Sequence, residues 1–210
     1  MIIIIALIAV GLVSVGPIMS NVEQPNYEVI FADNNFEIRT YDPVIIAEVV
    51  VRGERKAAIN DGFKLLADYI FGNNSVNEKV SMTAPVSQKQ SEKISMTAPV
   101  SQQEVGGEWA VHFIMPSSYN LNTLPKPNNQ LVKIKQMPEK SFAVIQFAGS
   151  NTNDNLRVHE NTLKEYLLKN EIASLSSPVY AFYNPPWTLP FMRRNEVMIE
   201  VEASSFHSGK

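Results

Sequence analysis

One ten-residue stretch occurs twice. Lys79 to Gln88 reads Lys-Val-Ser-Met-Thr-Ala-Pro-Val-Ser-Gln, and Lys93 to Gln102 repeats it with Ile94 in place of Val80. Two copies are too few for a solenoid, which needs at least three stacked units. Apolar and polar residues alternate from Val80 to Val86 and from Ile94 to Val100, the period of a half-buried strand. The polar Lys89-Gln90-Ser91-Glu92 between them has the length of a hairpin loop. A hairpin centred between Gln90 and Ser91 sets Met82 opposite Pro99 and Pro85 opposite Met96. These pairs lie three residues apart, and antiparallel pairs alternate between hydrogen-bonded and non-bonded types. One proline therefore falls where an N–H is needed, and proline has none. The ladder is expected to bulge, end or break at one Thr-Ala-Pro.

The chain has 210 residues, 45% of them hydrophobic, enough for a buried core, and a formal net charge of −3. That charge leaves no basic footprint for nucleic acid. The absence of cysteine excludes disulfides, thiolate nucleophiles and cysteine-ligated metals. Residues 1–19 are almost wholly apolar; as a helix they would span about 28 Å, close to the hydrocarbon thickness of a bilayer. The run has no Lys or Arg n-region, and its best small-residue cleavage site, Ser14-Val15-Gly16, abuts Pro17. A retained membrane anchor is therefore expected, with secretion after signal cleavage as the alternative. Arg39 is the first basic residue after the run, so the domain is expected outside the cytoplasm.

Residues 20–26 read as a linker, 27–202 as one domain and 203–210 as a tail. Tyr27–Phe31 and Phe36–Tyr41 are expected strands turning at Asp33-Asn34-Asn35. Val44–Val51, dense in β-branched residues, reads as a more buried strand. From Glu54 to Phe71 the period changes to helical, with Ile59, Phe63, Leu66 and Ile70 on one face; Gly72-Asn73-Asn74 caps it. Trp109–Met115 is a further strand, and Pro116–Gln130, with three prolines, connects two halves. The order then nearly repeats. Leu131–Gln136 and Phe142–Phe147 are strands, Asn153 or Asp154 caps a helix to about Lys169, and Val179–Tyr183 and Glu196–Val201 close the chain. Two sheet-helix-sheet halves predict an α+β fold with pseudo-twofold symmetry, its two helices against an antiparallel sheet.

No nucleophile elbow, phosphate-cradling loop, dinucleotide turn or zinc-helix motif occurs. His112, His159 and His207 have no partner pattern in the sequence and read as ordinary histidines. Other motifs carry a resemblance. The doubled Lys-Ile-Ser-Met-Thr-Ala-Pro-Val, Phe36-Glu37-Ile38-Arg39 with Tyr41, Gly62-Phe63 and Tyr69-Ile70-Phe71-Gly72-Asn73-Asn74 begin the set. Leu124-Pro125-Lys126-Pro127, Tyr183-Asn184-Pro185-Pro186-Trp187 and Arg193-Arg194-Asn195-Glu196-Val197 complete it. In this order, over about residues 25–201, the chain resembles the SOUL haem-binding protein family.

The resemblance implies a distorted antiparallel β-barrel flanked by two helices. It also implies non-enzymatic binding of haem or another tetrapyrrole in a shallow apolar cleft beside the first helix and a late loop. A haem needs an apolar slot and cations or amides for its propionates. Met82, Met96, Trp187, Leu189, Phe191 and Met192 are the candidate slot residues; Lys64, Arg193 and Arg194 are the nearby cations. No iron ligand and no structural metal site is assigned, since neither His112 nor His159 falls in a family motif. The alternative is a general amphipathic small-molecule receptor, because the fold resembles effector-binding domains of multidrug regulators, which use a buried acid. A hydrolase reading lacks an identified nucleophile and base.

Overall fold

The computed structural model describes residues 22–76 and 91–203. The apolar stretch 1–19, the first copy of the decapeptide with Met82, and residues 204–210 lie outside them. β1 (Tyr27–Asp33) and β2 (Phe36–Tyr41) form a hairpin whose turn holds Asn34 at φ 53°. β3 (Val44–Val51) leads into helix α1 (Arg55–Ile70). A short β4 (Asn74–Ser75) follows, then β5 (Val100–Val105), β6 (Glu108–Ile114) and a short β7 (Lys126–Pro127). β8 (Lys133–Met137), β9 (Lys140–Phe147), helix α2 (Asn153–Lys169), β10 (Val179–Phe182) and β11 (Asn195–Glu200) complete the chain.

Nine strands make one antiparallel sheet, curled as a half-barrel, in the order β1-β2-β9-β11-β10-β5-β6-β3-β8. Without β1 this order is symmetric about the β10–β5 pair. β3-α1-β5-β6 in the first half matches β9-α2-β10-β11 in the second, which is the expected pseudo-twofold repeat. The strand before each unit crosses over: β2 bonds to β9, and β8 bonds to β3.

Alternation decides which face meets the helices. α1 lays Ile59, Leu66, Tyr69 and Ile70 on Ala47, Val49, Val111 and Phe113. α2 lays Leu156, Leu163 and Leu167 on Ala143, Ile145, Val197 and Ile199. At Gly62 the helix comes so close that a Cβ would stand 2.6 Å from Val111 Cγ2. Among the described residues no helix covers the opposite face of the sheet. There Tyr41, Val144, Ala181, Tyr183 and Met198 form a third buried cluster with Ala98.

Several expectations need correction. Phe63 does not join the buried stripe of α1; it sits at the stripe's edge, half-exposed, with its ring edge-on to Phe113 at 5.3 Å. Ile94 to Val100 is not a strand. Ser91 to Pro99 carries no ladder, because its amides go elsewhere: Ile94 N–H to Ile70 O and Ala98 N–H to Glu23 O. β5 begins directly after Pro99, so this proline stands at a strand end. α2 is capped by Thr152, whose side chain accepts from Asn155 N, rather than by Asn153 or Asp154. The proline-rich connection also holds β7, paired with β4.

Candidate functional site

Between β10 and β11 the chain cannot continue the sheet, since Pro185, Pro186 and Pro190 offer no N–H. It turns instead through a Thr188 N–H to Pro185 O bond and a 3₁₀ turn at Pro190–Met192. Arg193 clasps this late loop from within, donating Nε to Thr188 O at 2.7 Å and Nη2 to Pro186 O at 2.5 Å. Gly149 N–H to Pro190 O, and Asn195 Nδ2 to Gly149 O, pin the loop to the segment before α2. On this fixed frame Trp187 is 62% exposed and Phe191 73%, with Leu189 at 42%. Three large apolar side chains facing solvent within five residues form a patch of the kind that marks a binding surface.

The remaining candidates are dispersed. Met192 belongs to the 3₁₀ turn of this loop, and Arg193 makes no ion pair among the described residues. Arg194 turns onto the helix-free sheet face. It stacks over Tyr183 at 3.9 Å and donates Nε and Nη2 to Glu196 Oε1. Lys64 lies exposed on α1, paired with Asp61 at 3.1 Å. Met96 is half-exposed beside buried Thr97, whose hydroxyl donates to Ile114 O. No hydrogen bond or ion pair among the described residues joins Lys64 or Met96 to the late loop. Met82 lies outside these residues.

The helix-free face holds two polar clusters. Glu196, with no exposed side-chain surface, accepts from Arg39 at 3.0 Å, from Arg194 and from Tyr183 at 2.7 Å. Burial works against the charge of Arg39, yet Glu196 and then Tyr41 hold it above the usual arginine range. Burial first, and then the Glu196 charge, push Tyr41 up to about 12. The second cluster joins Glu48 to His112 and Lys135. The hydrogen bond from His112 outweighs burial and, with Lys135, holds Glu48 at about 2. Between the clusters lies a cavity of about 160 Å³ walled by Ile46, Ile114, Phe142 and Met198. Pockets for small organic ligands run to about 300–1,000 Å³, so this cavity encloses no tetrapyrrole.

Sequence reasoning missed this face. Alternation places Glu48 and Ile46 on one side of β3, but only the register of β6 shows that His112 stands beside Glu48. His159 is satisfied as expected, bonded to Asn155 O and stacked on Phe147 at 3.9 Å. Among the described residues no group of three or more His, Asp or Glu side chains is placed to hold a metal ion.

The sequence profile of a family described as SOUL heme-binding protein matches residues 22–200. A search of curated proteins finds no match. Among solved structures, the EcmrR C-terminal domain superposes with a TM-score of 0.58 at 10% identity, covering 84% of this chain and 98% of that one. A hydrolase from Listeria innocua superposes with a TM-score of 0.51 at 9% identity, covering 82% and 94%. At these identities the likeness is one of fold alone.

Proposed function

The chain belongs to the SOUL heme-binding protein family, and from that premise we propose that it holds haem or a related tetrapyrrole on the apolar surface of its late loop, without chemical turnover. The observation that carries this reading is the exposure of Trp187, Leu189 and Phe191 on a loop already fixed by Arg193 and Gly149. A macrocycle laid on them buries apolar area without first ordering a flexible segment, which removes one entropic cost of binding. Arg193 lies in the same loop, makes no ion pair among the described residues, and suits a propionate. Arg194 is committed to Glu196.

The alternative, a general amphipathic small-molecule receptor, is supported by the cavity on the helix-free face. The neighbouring acids speak against a cationic ligand, because Glu196 already accepts from Arg39, Arg194 and Tyr183, and Glu48 from His112 and Lys135.

Haemin titration followed by the Soret band tests the proposal. Completing the burial of an indole is worth several kcal/mol at about 25 cal/mol per Å². Trp187→Ala is therefore expected to weaken binding about tenfold or more. Arg193→Ala removes both the cation and the two bonds that clasp the loop, so Arg193→Lys is the cleaner test of the charge. The charge contribution, on the order of 1 kcal/mol, is expected to fade at high salt. His159→Ala is expected to leave affinity unchanged. Haem affinity untouched by Trp187→Ala, or displacement of haem by an excess of a lipophilic cationic dye, would refute the late-loop site.

A further inference from the structure

Three neighbouring strands carry a serine, a histidine and a glutamate in one row on the helix-free face. Ser101 of β5 stands opposite His112 of β6, and His112 opposite Glu48 of β3. The side chains close the row: His112 Nε2 lies 2.9 Å from Glu48 Oε2, and Nδ1 lies 3.3 Å from Ser101 Oγ. Glu48 and His112 side chains are only 12% and 13% exposed. Lys135 of β8 donates to the other oxygen of Glu48, which keeps that carboxylate ionised.

An ionised carboxylate only accepts hydrogen bonds. Nε2 of His112 therefore carries the hydrogen that Glu48 receives. In the neutral imidazole this leaves Nδ1 bare, so Ser101 is the donor in the second bond. That tautomer is the one a general base requires, with the base oriented by a third group. A separation of 3.3 Å is at the loose end of the range, as is common before substrate binds.

We propose that Ser101, His112 and Glu48 form a nucleophile, base and orienting acid that hydrolyse esters of short apolar acids. Ser101 Oγ attacks the ester carbonyl carbon and gives its proton to His112 Nδ1. The new Oγ–C bond forms, the bond from carbon to the leaving oxygen breaks, and the alcohol departs with the proton from His112. Water then attacks the acyl-serine through the same base, releasing the acid and restoring the serine, so that ester and water become acid and alcohol. Ser101 and His112 both line the cavity of about 160 Å³, a volume close to that which admits a benzene ring. Its apolar walls fit an acyl chain of a few carbons. Gln103, two residues along the same face of β5, lines this cavity too. Its amide gives one hydrogen to Ser177 O and keeps a second for the oxyanion.

This proposal uses different residues from the haem site and is tested separately. The full chain is mixed with p-nitrophenyl butyrate, p-nitrophenolate release is timed, and the acylated peptide is located by mass spectrometry. A fluorophosphonate is used in parallel as a trap for an activated serine. Label on Ser101 from either reagent is the expected result. Ser101→Ala is expected to abolish it, and His112→Gln or Glu48→Gln to slow it about a hundredfold or more, the ordinary worth of a general base. Absence of label on Ser101 with both reagents overturns the proposal, as does labelling at an unchanged rate in His112→Gln. Peptide mapping on the unaltered chain needs no variant to fold.

Discussion

Glu48 and Glu196 are both acids on a sheet face without a helix, yet they are held by different partners. Glu196 is shut away with two guanidiniums and a phenol; removing one partner leaves the others as uncompensated buried charge. Glu48 sits nearer solvent, and its hydrogen bond from His112, then Lys135, hold it at about 2 in the fold against an ordinary 4.5. A depressed acid contributes stability that is fully present above its unfolded pKa and is lost as pH falls through the folded one. The window for Glu48 is thus between about 4.5 and about 2. Across it the unaltered chain is expected to lose on the order of 3 kcal/mol relative to Glu48→Gln. Urea unfolding of both proteins at a series of pH values measures the difference; a stability gap that stays flat from pH 5 to 2.5 contradicts the assignment. Little of this was legible beforehand. The strand period told which face Glu48 occupies, but not which side chain of a neighbouring strand would meet it.

Elements were easier to read than partners. β3 coincides with its expected range because eight consecutive residues, all but Ala47 and Glu48 β-branched, fit little except a strand. α1 was legible from its apolar spacing, and the left-handed Gly72 at φ 124° ends it as expected. The second decapeptide misled. Its alternation matched a strand, but Ile94 and Ala98 spend their amides outside the sheet and Pro99 has none to give. Gly62 shows what periodicity omits: it belongs to the buried face of α1 because nothing larger fits above Val111. Gly62→Ala normally raises helix propensity by about 1 kcal/mol. Here the added methyl meets Val111 Cγ2 at 2.6 Å and Val49 Cγ2 at 3.2 Å, and overpacking of that kind costs about 1–3 kcal/mol. Net destabilisation in thermal unfolding is expected, partly relieved when Val111→Ala is added. A Gly62→Ala protein more stable than its parent would mean that helix and sheet can part without loss.

At the scale of the molecule, the repeated order of elements predicted two halves but not how they are joined. β-branched residues announce a strand without naming its neighbour, so the crossing of β2 to β9 and of β8 to β3 was hidden until the register was known. Each half therefore completes its sheet with a strand from the other, and the centre of the sheet is the β10–β5 pair, again one strand from each. Neither half is expected to fold alone. Residues 22–129 and 130–203, prepared separately, should lack near-ultraviolet dichroism and recover it when mixed; cooperative unfolding by either fragment by itself would refute this.

The exchange of β2 and β8 also tells what kind of object the chain is. Two identical units that lent each other their leading strand would be a domain-swapped dimer, whose assembly depends on concentration. Here the two units share one polypeptide, and the connection through β7 converts their association into an intramolecular event with an effective concentration of its own. A pseudo-dimer of this type stays assembled at any dilution, and its two halves are free to diverge in sequence, one keeping the Glu48 row while the other keeps Glu196 and the late loop.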